Sequence, residues 1–232
     1  MNAMAPPFHD RRHAGRVLAE ALEDYRGRPN LLVLALPRGG TPVAFEVAHA
    51  LDALLDIFVV RKIGFPGHEE YAIGAIASGG VRVMNPLPGA TVSPEAIAKV
   101  VAREEAELTR REQFYRGTRP AVSVAGRTVI VVDDGLATGS TMQAALIALR
   151  QQRPLHLAVA VPVGAREARE MLRQKADDVV CVAAPEPFRA VGVWYEAFAQ
   201  TSDEEVTALL DEARRERAAR RVADSGEGPW PS

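Results

Sequence analysis

Apolar and polar positions along this chain fall into blocks of two kinds. Ala14, Val17, Leu18, Ala21, Leu22 and Tyr25 recur at helical spacing, which predicts a helix over 10–27. The unbroken run LLVLAL at 31–36 fits a strand buried on both faces. PRGG follows, and Thr41 with Pro42 reads as the cap and first position of a helix. DIFVVRK (56–62) reads as a second strand, and the glycines, proline and paired glutamates of IGFPGHEEYAIG (63–74) suggest an exposed loop. The segment 72–85 could form a hairpin around Gly79-Gly80. Ser93-Pro94-Glu95 opens a long charged helix that stops near Gly117.

The pattern then repeats. VIVV at 129–132 is a strand, and Met142, Ala145, Leu146 and Leu149 mark the helix after it. LHLAVAVPV (155–163) and DVVCVAA (178–184) are two further strands, with a helix at about 165–176 between them. Residues 202–221 form a last helix capped by Ser202, and 222–232 read as a disordered tail. Alternating strands and helices predict an α/β fold, a doubly wound, mostly parallel sheet of about five strands.

Composition narrows the classes. Hydrophobic residues make up 47% and charged residues 25% of the 232 positions, enough for a proper core. The net charge of -2 gives no ground for a nucleic-acid or membrane partner. One cysteine excludes an intrachain disulfide and a thiolate zinc site. The N-terminus lacks the apolar core of a signal peptide, and no apolar run approaches the roughly 20 residues of a membrane span. A cytoplasmic location is expected.

The chemistry concentrates in VIVVDDGLATGST (129–141). Ligands of open α/β sheets bind at the carboxyl ends of strands, where Asp133 and Asp134 would sit. The small residues after them lead into a helix, whose start offers unpaired N–H groups to an anion. Thr138, Ser140 and Thr141 add hydroxyl donors. Carboxylates beside a phosphate cradle make sense for a ligand that carries both a phosphate and hydroxyls, or a hard cation such as magnesium. A Walker A loop would need lysine where Gly139 stands, and the dinucleotide fingerprint is absent.

This stretch resembles the signature of the type I phosphoribosyltransferases, which bind 5-phosphoribosyl 1-pyrophosphate (PRPP). The resemblance implies that Asp133 and Asp134 hold the ribose hydroxyls, and a Mg2+ ion indirectly. It implies that Ala137, Thr138, Gly139, Ser140 and Thr141 wrap the 5-phosphate. It also implies a pyrophosphate loop, for which LPRGGTPVA (36–44) is suited: Arg38 would pair with phosphate oxygens, and Gly39 and Gly40 would permit close approach. An unusual backbone is expected near Pro37–Gly39. Arg61 and Lys62 would add positive charge against the leaving group, so that Arg38 and Lys62 join the two aspartates as catalytic candidates. A flexible loop at about 63–80 would offer His68, Glu69 and Tyr71. A hood at about 185–200 would hold the acceptor base, with Phe188 as the stacking candidate, then Trp194 and Tyr195, and with Lys175 near the base oxygen.

The expected organisation is one phosphoribosyltransferase-like domain over 1–212, followed by a helix end and tail over 213–232. The expected activity is Mg-dependent transfer of the phosphoribosyl group from PRPP to a heterocyclic acceptor. The acceptor stays open, because Phe-x-x-Val-Gly of the hood resembles hypoxanthine-guanine enzymes whereas Ala137 matches the adenine and uracil types. A PRPP-binding regulator without catalysis, and a phosphosugar hydrolase or transferase, are the alternatives. A homodimer is possible through residues 93–117.

Overall fold

Five parallel strands form the central sheet in the order β2-β1-β6-β7-β8. They are β1 (Leu31–Ala35), β2 (Leu54–Ile57), β6 (Thr128–Val132), β7 (His156–Val163) and β8 (Asp178–Ala183). A computed structural model describes residues 8–84 and 93–225 of the chain. Every residue of β1 is buried, as its continuous apolar run requires of a strand covered on both faces. The helices that cover them are α1 (Arg11–Glu20), α2 (Gly40–Ala50), α3 (Pro94–Arg116), α4 (Ser140–Gln151), α5 (Arg166–Leu172) and α6 (Asp203–Ser225). Leu18, Val33, Val47, Ile130 and Leu210 belong to the core on one face, and Leu32, Val131, Leu146 and Val159 to the core on the other. The alternation of neighbours such as Leu32 and Val33 between the two cores is the period of two of a strand.

A second, antiparallel sheet consists of β3 (Val60–Phe65), β4 (His68–Ala77) and β5 (Val81–Met84). It replaces the expected exposed, flexible loop at 63–80 with paired strands, and β4 and β5 form the hairpin expected around Gly79-Gly80. Gly74 is there because the chain is paired: a Cβ on it would meet the carbonyl of Val83 at 2.5 Å. Ile63, Ile73 and Ile76 are buried, so this segment carries an apolar face of its own. Only Pro66-Gly67 and Ser78-Gly79-Gly80 act as turns. The run DIFVVRK accordingly splits between β2 and β3.

Several boundaries also shift. Helix α1 stops at Glu20, and a short 3-10 turn at Glu23–Tyr25 completes the expected segment. Helix α2 starts at Gly40 with Gly39 as its cap, before the expected Thr41. Helix α6 runs to Ser225 through the expected boundary at 212 and into the expected tail; the remainder of that tail lies outside the described residues. Ser93 and Ser202 cap α3 and α6 by accepting from the N–H groups of Ala96 and Glu205. Among the described residues no helix is long and apolar enough to cross a membrane.

Candidate active site

Strand β6 delivers its two aspartates to the carboxyl edge of the sheet. The N–H of Asp134 donates to Asp133 Oδ1 at 2.9 Å, and Arg11 Nε donates to Asp134 Oδ2 at 2.8 Å. Burial, and next the charge of Asp134, push the Asp133 carboxyl well above the usual carboxylate range. Burial also raises Asp134, and the hydrogen bond and charge of Arg11 oppose it. Two adjacent acids thus share one close cation.

The loop between β1 and α2 packs directly on this pair. The Pro37–Arg38 peptide bond is cis, which is the unusual backbone expected there. A Cβ on Gly39 would overlap Asp134 Oδ2 and lie 2.8 Å from its Cγ; one on Gly40 would lie 2.7 Å from the carbonyl of Val132. These glycines are set by proximity, since Gly39 has ordinary helical angles. Arg38 lies 3.8 Å from Asp203 at the start of α6, a separation that leaves its guanidinium only weakly held. Thr41 Oγ1 is buried without a hydrogen-bond partner among the described residues.

On the other side, residues 135–141 lead into α4. Gly139 caps the helix in the left-handed region at φ 73°, a turn that glycine makes without steric cost. Ala137, Thr138 and Ser140 are exposed, and Thr138 Oγ1 lies 3.2 Å from Ser140 Oγ. A cleft of ≈ 190 Å³ runs along this loop, with Asp133, Thr138, Ser140 and Thr141 on one side and Lys62 and Val191 among its other walls. The positive end of the α4 dipole and the lysine make this cleft suited to a phosphate.

The remaining candidates separate. Lys62 reaches the cleft, but Arg61 does not line it: it pairs with Glu104 of α3, Nη2 to Oε2 at 2.6 Å. Neighbours on a strand face opposite sides, so only one of the two can serve the site. His68 and Tyr71 are exposed around Phe65, 6.1 Å from each by ring centroid, and neither lines the cleft; the side chain of Glu69 lies outside the described residues. Lys175 precedes β8 and therefore sits at the amino edge of a parallel sheet, the end opposite Asp133. Its backbone carbonyl accepts from Arg150 there, so it cannot serve a base held over β6.

The hood follows β8 and contains a 3-10 turn at Val191–Trp194. Phe188 lines a separate cleft with Ala165, Arg166 and Glu186 rather than the one holding Asp133. Trp194 packs on the cluster of Phe8, Ala14, Val163 and Tyr195, and its indole N–H is buried without a partner among the described residues. Tyr195, expected to offer its ring to a base, is instead buried, and its Oη donates to the carbonyl of Asp134 at 2.6 Å. Two residues near the acids were given no role there by the sequence. Val191 is one: a Cβ on Gly135 would lie 2.6 Å from its Cγ1. Arg11 is the other, since one arginine in FHDRRHAG carries no motif that would mark it.

A divalent cation fits this site only together with a ligand. Among the described residues no three His, Cys, Asp or Glu side chains gather into a metal cage. Two hard carboxylates with an open cleft beside them suit Mg2+, which commonly keeps its waters and shares substrate oxygens.

Comparison with known proteins gives a consistent picture. Residues 9–196 match the sequence profile described as the phosphoribosyl transferase domain. A Mycobacterium tuberculosis protein provisionally named a phosphoribosyl transferase is 43% identical over 224 residues, which cover 96% of this chain and 50% of that protein. The chain therefore spans about half the length of that relative. A bifunctional protein PyrR of Deinococcus radiodurans is 28% identical over 160 residues, 68% of this chain and 69% of its own. The crystal structure of TT1426 from Thermus thermophilus is similar at a TM-score of 0.78 and 44% identity, covering 88% of this chain and 98% of that one.

Proposed function

Because the chain belongs to the phosphoribosyl transferase domain family, we propose that it transfers the 5-phosphoribosyl group of PRPP to a ring nitrogen of a heterocyclic acceptor, in the cytoplasm and with Mg2+. The observation that carries this reading is the convergence of three elements. The loop at 36–40 lies against Asp133 and Asp134, the glycine-capped start of α4 follows them, and Lys62 shares one cleft with Asp133 and that helix start.

Each part has a role on this reading. Asp133 and Asp134 accept hydrogen bonds from the ribose diol. Thr138, Ser140, Thr141 and the N–H groups at the start of α4 hold the 5-phosphate. Arg38 and Lys62 offset the charge that develops on the leaving pyrophosphate, an effect worth most where water is excluded. The acceptor nitrogen's lone pair forms the bond to the anomeric carbon, and the electrons of the broken C–O bond leave with pyrophosphate. The acceptor's proton passes to Asp133, whose raised affinity for protons suits a base. Magnesium, when bound, supplies charge neutralisation to the phosphate oxygens. Phe188 and Trp194 remain the candidates for contact with the acceptor.

The test is pyrophosphate release from PRPP and magnesium, with and without a pool of purine and pyrimidine bases. Base-dependent release is expected, and dividing the pool identifies the acceptor. PRPP binding without any base-dependent release would instead favour a regulator, and stabilisation by ribose 5-phosphate but not by PRPP would favour a phosphosugar enzyme.

A further inference from the structure

Arg11 is the first residue of α1, yet its side chain is only 12% exposed. Its three contacts reach two distant parts of the chain, the end of β6 and the segment 198–199. Nε donates to Asp134 Oδ2 at 2.8 Å, Nη1 donates to the carbonyl of Ala199 at 2.6 Å, and the guanidinium carbon lies 3.8 Å from the centroid of the Phe198 ring. Asp134 is itself confined: Gly39 closes on its carboxylate, and Tyr195 Oη holds its carbonyl at 2.6 Å. Tyr195 and Phe198 are in turn packed together, with ring centroids 5.0 Å apart.

We propose that Arg11 is a positioning residue for the donor's ribose, holding the Asp134 carboxylate in one orientation and tying it to the hood. The inference rests on the donor reading above. A guanidinium is a rigid planar fork, so fixing Nη1 on Ala199 and the plane on Phe198 also fixes where Nε points. Oδ2 of Asp134 follows. A carboxylate has about four lone-pair sites, and Arg11 takes one, which leaves Oδ1 and the rest for hydroxyl groups. Retaining a largely buried ion pair is poor evidence of stability alone, because a well-packed apolar pair often stabilises as much. Orienting a ligand group explains the arrangement better, since the N-terminal helix and the loop at 36–40 meet at the Asp134 carboxylate and the hood holds both its backbone carbonyl and Arg11.

The experiment is calorimetric titration of the full chain with PRPP and, separately, with pyrophosphate, each with magnesium, for wild type, Arg11→Met and Arg11→Lys. Only PRPP presents a ribose. Arg11→Met is expected to weaken PRPP binding roughly tenfold or more, the size of a lost charge-assisted hydrogen bond, and to leave pyrophosphate binding within about twofold. Arg11→Lys restores part of the loss, since it keeps the charge without the fork. Equal weakening for both ligands would show a purely structural role and overturn the inference. Unchanged or tighter PRPP binding in Arg11→Met would overturn it as well, the latter by making Arg11 a competitor of the ribose. If Arg11→Met does not fold, Arg11→Lys carries the same comparison with a smaller difference. A wild-type chain that takes up no PRPP would remove the donor reading and this inference with it, a failure seen before any variant is made.

Discussion

Gly39 and Asp134 stand so close that no side chain fits between them: a Cβ on the glycine would lie 2.8 Å from the aspartate's Cγ. The contact joins the loop after β1 to the loop after β6, two segments nearly a hundred residues apart in the chain. Gly39→Ala must push the loop off the acid. Overpacking of this kind costs about 1–3 kcal/mol, and the expected result is a stability loss of that size in urea unfolding together with loss of PRPP binding. Retained binding with full stability would show that the two loops separate freely.

Asp133 sets function against stability. Its folded-state proton affinity is raised, because burial makes the ionised carboxylate costlier in the native form than in the unfolded chain. The associated stability is fully present below the ordinary carboxylate value of 3.8 and is lost as pH rises through the higher folded-state value. Asp133→Asn keeps an oxygen to accept from the Asp134 N–H and carries no charge to bury. It is expected to raise neutral-pH stability by on the order of 1 kcal/mol while abolishing turnover. Thermal unfolding across pH checks this, and the gain should vanish at acid pH. The double variant Asp133→Asn with Asp134→Asn is expected to have no turnover, and wild-type rates in it would remove the site assignment.

Arg61 and Lys62 should part company on mutation. Lys62→Ala is expected to lower kcat/KM with little effect on unfolding. Arg61→Ala strips a partner from Glu104, which is 5% exposed, and should cost about 1–3 kcal/mol; Arg61 is itself partly open to solvent and Arg103 stays within 3.2 Å of Glu104, so the loss falls short of that for an abandoned buried charge. Urea unfolding and steady-state rates on both variants distinguish the two. The opposite pattern would mean that β3 presents its other face to the site.

Asp56 tests the frame behind the site. It accepts from Arg116 Nε at 2.9 Å and from the N–H groups of Ile57 and Val122, and both charged side chains are almost fully buried. Asp56→Ala removes one of two carboxylates beside Arg116, with Glu112 still 2.9 Å from its Nη1, and strips an acceptor from the Val122 N–H, so it should cost about 1–3 kcal/mol. A loss below 1 kcal/mol in urea unfolding would show that water replaces the carboxylate.

The elements that could be read from the sequence are those whose pattern is local. The apolar run of β1 and the spacing of Met142, Ala145, Leu146 and Leu149 each follow one period, and both elements formed where expected. The five-stranded parallel sheet follows from their alternation. The paired aspartates and the glycine turn into α4 were visible because a strand end and a helix start lie within thirteen residues. The hairpin around Gly79-Gly80 was legible and formed as β4 and β5, whereas the pairing of β3 with β4 was hidden because the glycines and proline of 63–74 look like loop signals. Lys175 was misjudged because distance along the chain does not tell which end of a parallel strand a residue occupies. The contacts of Arg11 and Val191, and the bond from Tyr195 to Asp134, were invisible for a deeper reason: their partners lie far away in sequence, and nothing at either end of such a contact announces the other.

That same separation has a consequence for how the protein is made. The Arg11 contacts span 123 residues to Asp134 and 188 to Ala199. A chain emerging from the ribosome can therefore form β1, α2, β6 and the loops on them well before its acid pair is clamped. Asp134 gains its last supports only when residues 195–199 have been synthesised and have met the N-terminal helix. The site thus matures late in translation, and a chain cut short before the hood would carry the acid pair and Arg11 while lacking Tyr195, Phe198 and Ala199, which fix them in place.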